Sequence, residues 1–120
     1  MRATRRALAG LLPRRISGVT PTLFRPPFGE TNDQVRADAA RLGMAEALWS
    51  VGSRDWAGAT TAEIAAAASR LEPGGIILMH EGIQATIDAV PAILSGLSIR
   101  GLCPGRIAPG PDGTPVAVAP

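Results

Sequence analysis

"GGIILMHEG", residues Gly74 to Gly82, carries four apolar residues, Ile76 to Met79, straight into His80, the only histidine of the chain. A short unbroken apolar run bounded by glycine turns predicts a strand buried on both faces. Such strands belong to parallel sheets, whose crossover helices cover both sides. In parallel α/β folds the reactive groups gather at the C-terminal ends of the strands, which is where His80 stands. Two readings of it are open at this point: a hydrogen-bonded histidine at a core edge, and a catalytic acid or base.

The neighbouring segments repeat the pattern. "TTAEIAAAASRL" precedes the strand and opens with Thr60 and Glu63 at capping-box spacing, predicting a helix that stops at Pro73-Gly74. Before it, "EALWSV" (Glu46 to Val51) reads as a strand ending at "GSRDWAG". "TNDQVRADAARLG" reads as another helix, with a box at Thr31 and Gln34, an apolar spacing at Val35, Ala39 and Leu42, and Gly43 as its stop. Thr22-Leu23-Phe24 is a short strand that "RPPFGE" interrupts, because proline cannot donate to a ladder. After His80, the residues Ile83, Ile87, Val90, Leu94 and Leu97 predict a third helix with one apolar face. Pro91 sits within it, so a kink or a start near Val90 is expected. "RGLCPGRI" reads as a last short strand, and 109–120 as an irregular tail rich in proline and glycine. The alternation of strand and helix predicts an α/β fold with a parallel sheet and a single domain over residues 1–120.

Composition narrows the function. At 120 residues and 46% apolar, the chain has enough length and hydrophobicity for one core. Its twelve basic residues are all arginine, and five of them fall in residues 1–15 with no acid. The remainder carries seven arginines against ten acids, a balance of −3, so no basic face for nucleic acid is expected. No apolar run approaches the ~18 residues of a transmembrane segment. "TRRALAGLLPRR" is too short and too interrupted for a convincing export signal, and an Arg-rich N-terminal helix over 1–15 is expected instead. Cys103 is alone, which excludes an internal disulfide and a cysteine-built zinc site.

Three predicted strands end at Arg25, at Asp55-Trp56 and at His80, so one face receives a guanidinium, a carboxylate beside an indole, and an imidazole. An imidazole can protonate a leaving group, a carboxylate can fix its tautomer, and a guanidinium can hold a second carboxylate or an oxyanion. Blander readings stand beside these. Arg25 and Asp55 could form a surface ion pair, and Trp56, like Trp49, could pack in the core.

"TLFRPPFG", "LWSVGSRDW" and "GGIILMH", in this order and spacing, resemble the later motifs of the polysaccharide deacetylases of the NodB-homology type, carbohydrate esterase family four. The resemblance covers nearly the whole chain, through "RGLCPGRI". It implies a distorted TIM-like (β/α) barrel, of which this chain would be roughly half. It implies removal of acetyl groups from chitin-, peptidoglycan- or xylan-type glycans with a divalent metal, zinc or similar, and a location often extracellular or at the cell envelope. On these motifs His80 would protonate the departing amine, Asp55 would tune His80, and Arg25 would orient the family's catalytic base. Pro26, Pro27 and Phe28 would shape the groove, Trp56 would form a hydrophobic wall, and Leu78 would line the acetate pocket.

The departures are as telling. The family's Thr-Phe-Asp-Asp-Gly-like strand end and its pair of histidines a turn apart, which hold the metal, have no counterpart here. With one histidine, no residue of this chain is assigned as a metal ligand and no cofactor is expected in it. Gly52 also stands where the family frequently has Asp. The resemblance therefore implies the C-terminal half of a hydrolase of carbohydrate amide bonds, inactive or weakly active alone. Its partners would be an acetylated glycan and either a separate N-terminal half or further copies of itself. The alternative is a non-catalytic remnant that binds glycan or a partner chain.

Overall fold

The computed structural model describes residues 21–112 and 114–120. The helix expected over residues 1–15 lies outside the described residues. Where one domain is predicted, the chain divides into two compact units, Met1–Leu48 with Pro109–Pro115 and Trp49–Ala108 with Val116–Pro120.

The first unit is built on a βαβ crossover. Strand β1 (Leu23–Phe24) runs parallel to β2 (Ala45–Glu46), with Leu23 opposite Ala45 and Phe24 opposite Glu46. Pro26 and Pro27 end β1, and a 3₁₀ turn follows at Pro27–Gly29. Helix α1 (Asp33–Arg41) is capped by Asn32, whose side chain accepts from the Val35 N–H at 2.9 Å, and not by the expected Thr31. The reason is competition: the Thr31 hydroxyl donates to the Glu46 carboxylate on β2, and the expected box partner Gln34 bonds Asp38. Gly43, in the left-handed region at φ 71°, ends the helix as its sequence predicts.

The expected strand over Glu46 to Val51 is in fact two. Its first part is β2. Its second begins the other unit as β3 (Val51–Gly52), parallel to β4 (Ile77–Leu78) with Val51 opposite Ile77. The backbone changes partners between them. The Ala47 N–H donates to Phe24 on the β1 side, and the N–H groups of Ser50 and Val51 donate to the Ile76 carbonyl on the β4 side. The parallel pairing expected from the sequence is present, but as separate two-stranded pairs and not one sheet. Gly75 is fixed by space: a Cβ there would lie 2.9 Å from the Glu72 carbonyl oxygen and 3.1 Å from Ser50 Oγ.

Helix α2 (Thr61–Ala68) links β3 to β4 and carries the predicted capping box, with the Glu63 N–H on Thr60 Oγ1 at 3.2 Å and the Thr60 N–H on Glu63 Oε2 at 2.7 Å. Helix α3 (Gln84–Ile99) runs through Pro91, so it does not start near Val90. The face it buries differs from the predicted one. Thr86, Ala89 and Ile93 are buried, whereas Ile87, Val90 and Leu94 are 54%, 39% and 46% exposed. The core joins Val51, Ile64, Ala67, Ala68, Leu71, Ala89 and Ile93, so α3 meets the alanines of α2 through Ala89 and Ile93. Ile64, fully buried, contributes about 1.5–3 kcal/mol through the area it removes from water.

Strand β5 (Arg106–Pro109) pairs with β6 (Pro115–Val118), so the tail expected to be irregular from residue 109 carries a strand. The turn is tied by the Gly110 N–H to the Thr114 carbonyl at 2.7 Å and by Thr114 N–H to Asp112 Oδ1 at 3.0 Å. Among the described residues no helix is long and apolar enough to cross a membrane.

Candidate active site

Asp55 enters the protein because the chain turns sharply after β3. Arg54 sits in the left-handed region at φ 58°, a conformation costly for a side chain other than glycine, and a 3₁₀ turn follows at Asp55–Ala57. Ser53, itself buried, braces the turn: its N–H donates to the Leu78 carbonyl at 3.2 Å and its Oγ accepts from the Asp55 N–H at 3.3 Å. The Asp55 side chain is thereby withdrawn completely from solvent.

Four donors meet its carboxylate. Oδ1 accepts from the Trp56 N–H at 2.8 Å and lies 2.8 Å from His80 Nδ1. Oδ2 accepts from the His80 N–H at 2.6 Å and from the Thr86 hydroxyl at 2.8 Å. Burial by itself pushes a carboxyl pKa up. Here the bonds from the His80 ring, the His80 N–H, the Thr86 hydroxyl and the Trp56 N–H outweigh burial and hold Asp55 well below the usual carboxylate range. The ionised carboxylate accepts only, so the proton of the shared bond belongs to His80 Nδ1. That leaves Nε2 without a hydrogen-bond partner among the described residues, on a side chain 39% exposed.

Among the described residues His80 is bonded through Nδ1 alone on its ring. One ring nitrogen is fixed by a buried anion and the other is presented outward, the arrangement of a proton donor or acceptor held in one tautomer. On β4, Ile77 and Met79 pack against the core, so Leu78 and His80 share the opposite face. The Trp56 side chain is 68% exposed, which removes the core-packing reading for it.

The second unit thus brings together Asp55, His80 and Trp56, with Leu78 on the same face as His80. Arg25, Pro26, Pro27 and Phe28 belong to the loop after β1 in the first unit. There Arg25 and Pro27 are exposed and Pro26 is fully buried, so Pro26 supports the loop from within. Phe28 is 94% exposed with φ at 58°. Two contributors have no role assigned from the sequence: Ser53, inside "LWSVGSRDW", and Thr86, which belongs to no motif. The signal for Thr86 is its place at i, i+3, i+7 with Ala89 and Ile93, a face that the more continuous apolar run of Ile83, Ile87, Val90, Leu94 and Leu97 masks.

The donors present do not fit a divalent metal. Among the described residues no three His, Cys, Asp or Glu side chains come together, and each oxygen of Asp55 already accepts from two donors.

The chain is 48% identical over 101 residues to a bifunctional xylanase/xylan deacetylase of Cellvibrio japonicus, covering 83% of this chain and 15% of that protein. It is 34% identical over 88 residues to a peptidoglycan-N-acetylmuramic acid deacetylase of Bacillus subtilis, covering 72% of this chain and 18% of that protein. A family 4 carbohydrate esterase from Streptomyces lividans, solved in complex with acetate, superposes with a TM-score of 0.83 at 44% identity over 99% of this chain. The chain belongs to the polysaccharide deacetylases of carbohydrate esterase family four. It spans 58% of the esterase's length and under a fifth of either curated relative. No family model matches the chain.

Proposed function

We propose that the chain is the C-terminal portion of a polysaccharide deacetylase, a hydrolase of acetyl groups on chitin- or peptidoglycan-type glycans. The observation that carries this reading is His80, tied through Nδ1 to buried, ionised Asp55 and presenting Nε2 outward. When the tetrahedral adduct collapses, protonated His80 gives its Nε2 proton to the departing nitrogen as the C–N bond breaks. Asp55 balances the imidazolium charge and keeps the ring from turning. Exposed Trp56 supplies an apolar wall for the sugar or acetyl group, and Leu78 lines the acetate pocket. Arg25 orients the base that the family's first motif supplies, and exposed Pro27 and Phe28 shape the groove, with buried Pro26 supporting their loop from within.

The architecture of this reading is part of a (β/α) barrel, supported by the two parallel βαβ crossovers. A complete barrel takes about 250 residues. The partner we assign is the complementary N-terminal half of the domain. Two observations support it: the related esterase extends well beyond the part this chain matches, and Ile87, Val90 and Leu94 form an outward apolar stripe on α3. The second reading, a non-catalytic part that binds glycan or a partner chain, is favoured by the single histidine and by the lack of fit to a metal among the described residues.

The experiment is acetate release from acetylated chito-oligosaccharides and acetylated xylan. The chain alone is expected to give no measurable turnover. Addition of a separately expressed N-terminal half, carrying the missing Asp and His ligands, is expected to restore some. Metal-dependent turnover by the chain alone would overturn the incomplete-site reading. No turnover from a mixture that forms a stable complex would favour the non-catalytic one. Sedimentation of that mixture separates a one-to-one complex from self-association of this chain.

A further inference from the structure

Thr86 lies on the first turn of α3 and is buried, in line with Ala89 and Ile93 on the face packed against α2. A valine has the same branched shape and would fill that place without a polar atom. A buried hydroxyl costs stability unless it is bonded. Here it donates to Asp55 Oδ2 at 2.8 Å, so its presence is accounted for by that bond and not by packing.

The bond has a geometric consequence. A carboxylate can rotate and offer either oxygen to His80. Oδ2 is held by two donors from two different elements, the His80 N–H at the end of β4 and the Thr86 hydroxyl on α3. With Oδ2 so engaged, Oδ1 stays turned to His80 Nδ1. The Trp56 N–H secures Oδ1 from the side of its own turn. Thr86 is the only one of these donors that is neither part of the Asp55 turn nor part of His80.

We propose that Thr86 is a positioning residue: its hydroxyl clamps Asp55 Oδ2 so that Oδ1 holds the His80 ring in the tautomer that leaves Nε2 outward. For its catalytic meaning this rests on the reading of His80 as proton donor. Its test does not, because the readout is the ring itself.

The test uses the full 120-residue chain with Thr86→Val, which keeps shape and removes the donor, and Thr86→Ser, which keeps the donor. Nitrogen-15 and proton NMR of His80 report the tautomer and the exchange of the Nδ1 proton with solvent. Wild type and Thr86→Ser are expected to show the proton on Nδ1 and slow exchange. Thr86→Val is expected to exchange it about tenfold faster or more, on the scale of one lost charge-assisted hydrogen bond, and to show mixed tautomers.

Wild-type ring behaviour in folded Thr86→Val would reduce Thr86 to packing and overturn the proposal. Should Thr86→Val fail to fold, two other measurements decide. The wild-type Thr86 hydroxyl proton must be protected from exchange, and folded Thr86→Ser must keep the slow Nδ1 proton. Failure of either overturns the proposal. In the reconstituted enzyme Thr86→Val is expected to lower kcat with KM little changed, and Thr86→Ser to restore it. If reconstitution gives no turnover, the deacetylase reading fails while the ring measurements still decide the role of Thr86.

Discussion

Two loops of this molecule are built alike and finish differently. After β1 the chain passes through Phe28 at φ 58° in a 3₁₀ turn, and after β3 it passes through Arg54 at φ 58° into a 3₁₀ turn. Both place a side chain other than glycine in the left-handed region, a cost of about 1 kcal/mol or more that surrounding structure must hold in place. The second loop turns a carboxylate inward, where the end of β4 and the start of α3 clamp it. The first loop turns an aromatic ring outward to solvent. The difference teaches that a strained turn does not by itself make a site. What makes one is whether neighbouring elements close on the group it delivers.

The largest test of that contrast is His80→Ala in the reconstituted enzyme. Loss of general-acid catalysis is expected to lower turnover about 10²–10⁴-fold, measured by acetate release. Full activity in this variant would dissolve the distinction between the two loops.

Next is the support beneath the second loop. Ile64→Ala is expected to cost about 2–5 kcal/mol, read by urea unfolding, because Ile64 is fully buried among Val51, Leu71, Ala89 and Ile93. A loss below about 1 kcal/mol would mean that the packing between α2 and α3 does not secure the Asp55 turn.

The third concerns acid. In the folded chain the Asp55 carboxyl is held below its ordinary value of 3.8, so the unfolded chain binds that proton first as pH falls. The stability Asp55 contributes is therefore complete above about pH 4 and is lost as pH drops from there toward the folded value. Thermal melts across that window should be steeper in pH for wild type than for Asp55→Asn. Parallel curves would show that Asp55 is not ionised in the fold. In the reconstituted enzyme the same variant should lower turnover and shift its pH optimum.

The smallest effect is expected at the first loop. Phe28→Ala should change stability by no more than about 0.5 kcal/mol, since the ring is exposed and the strained backbone remains. In the reconstituted enzyme it should raise KM more than it lowers kcat. A large loss of stability would show that Phe28 is structural.

The sequence by itself determined the elements whose causes are local. The Thr60–Glu63 box, the stop at Gly43 and the break at Pro26-Pro27 follow from hydrogen-bond and dihedral rules acting over a few residues. The strand-end motifs also placed Asp55 and His80 as candidates, because strand and helix alternation alone puts such residues at one end of parallel strands. The tertiary structure decided everything that depends on competition between partners. It chose Asn32 over Thr31 as a cap, because Glu46 recruits the Thr31 hydroxyl. It split Glu46 to Val51 between two ladders, because β1 and β4 each claim part of that segment's backbone. It turned α3 so that Thr86, Ala89 and Ile93 face inward, where Ala89 and Ile93 join Ile64, Ala67 and Ala68 of α2 in the core. That rotation carries Thr86 to Asp55. No period or motif encodes it, since the deciding term is the fit between two surfaces far apart in the chain.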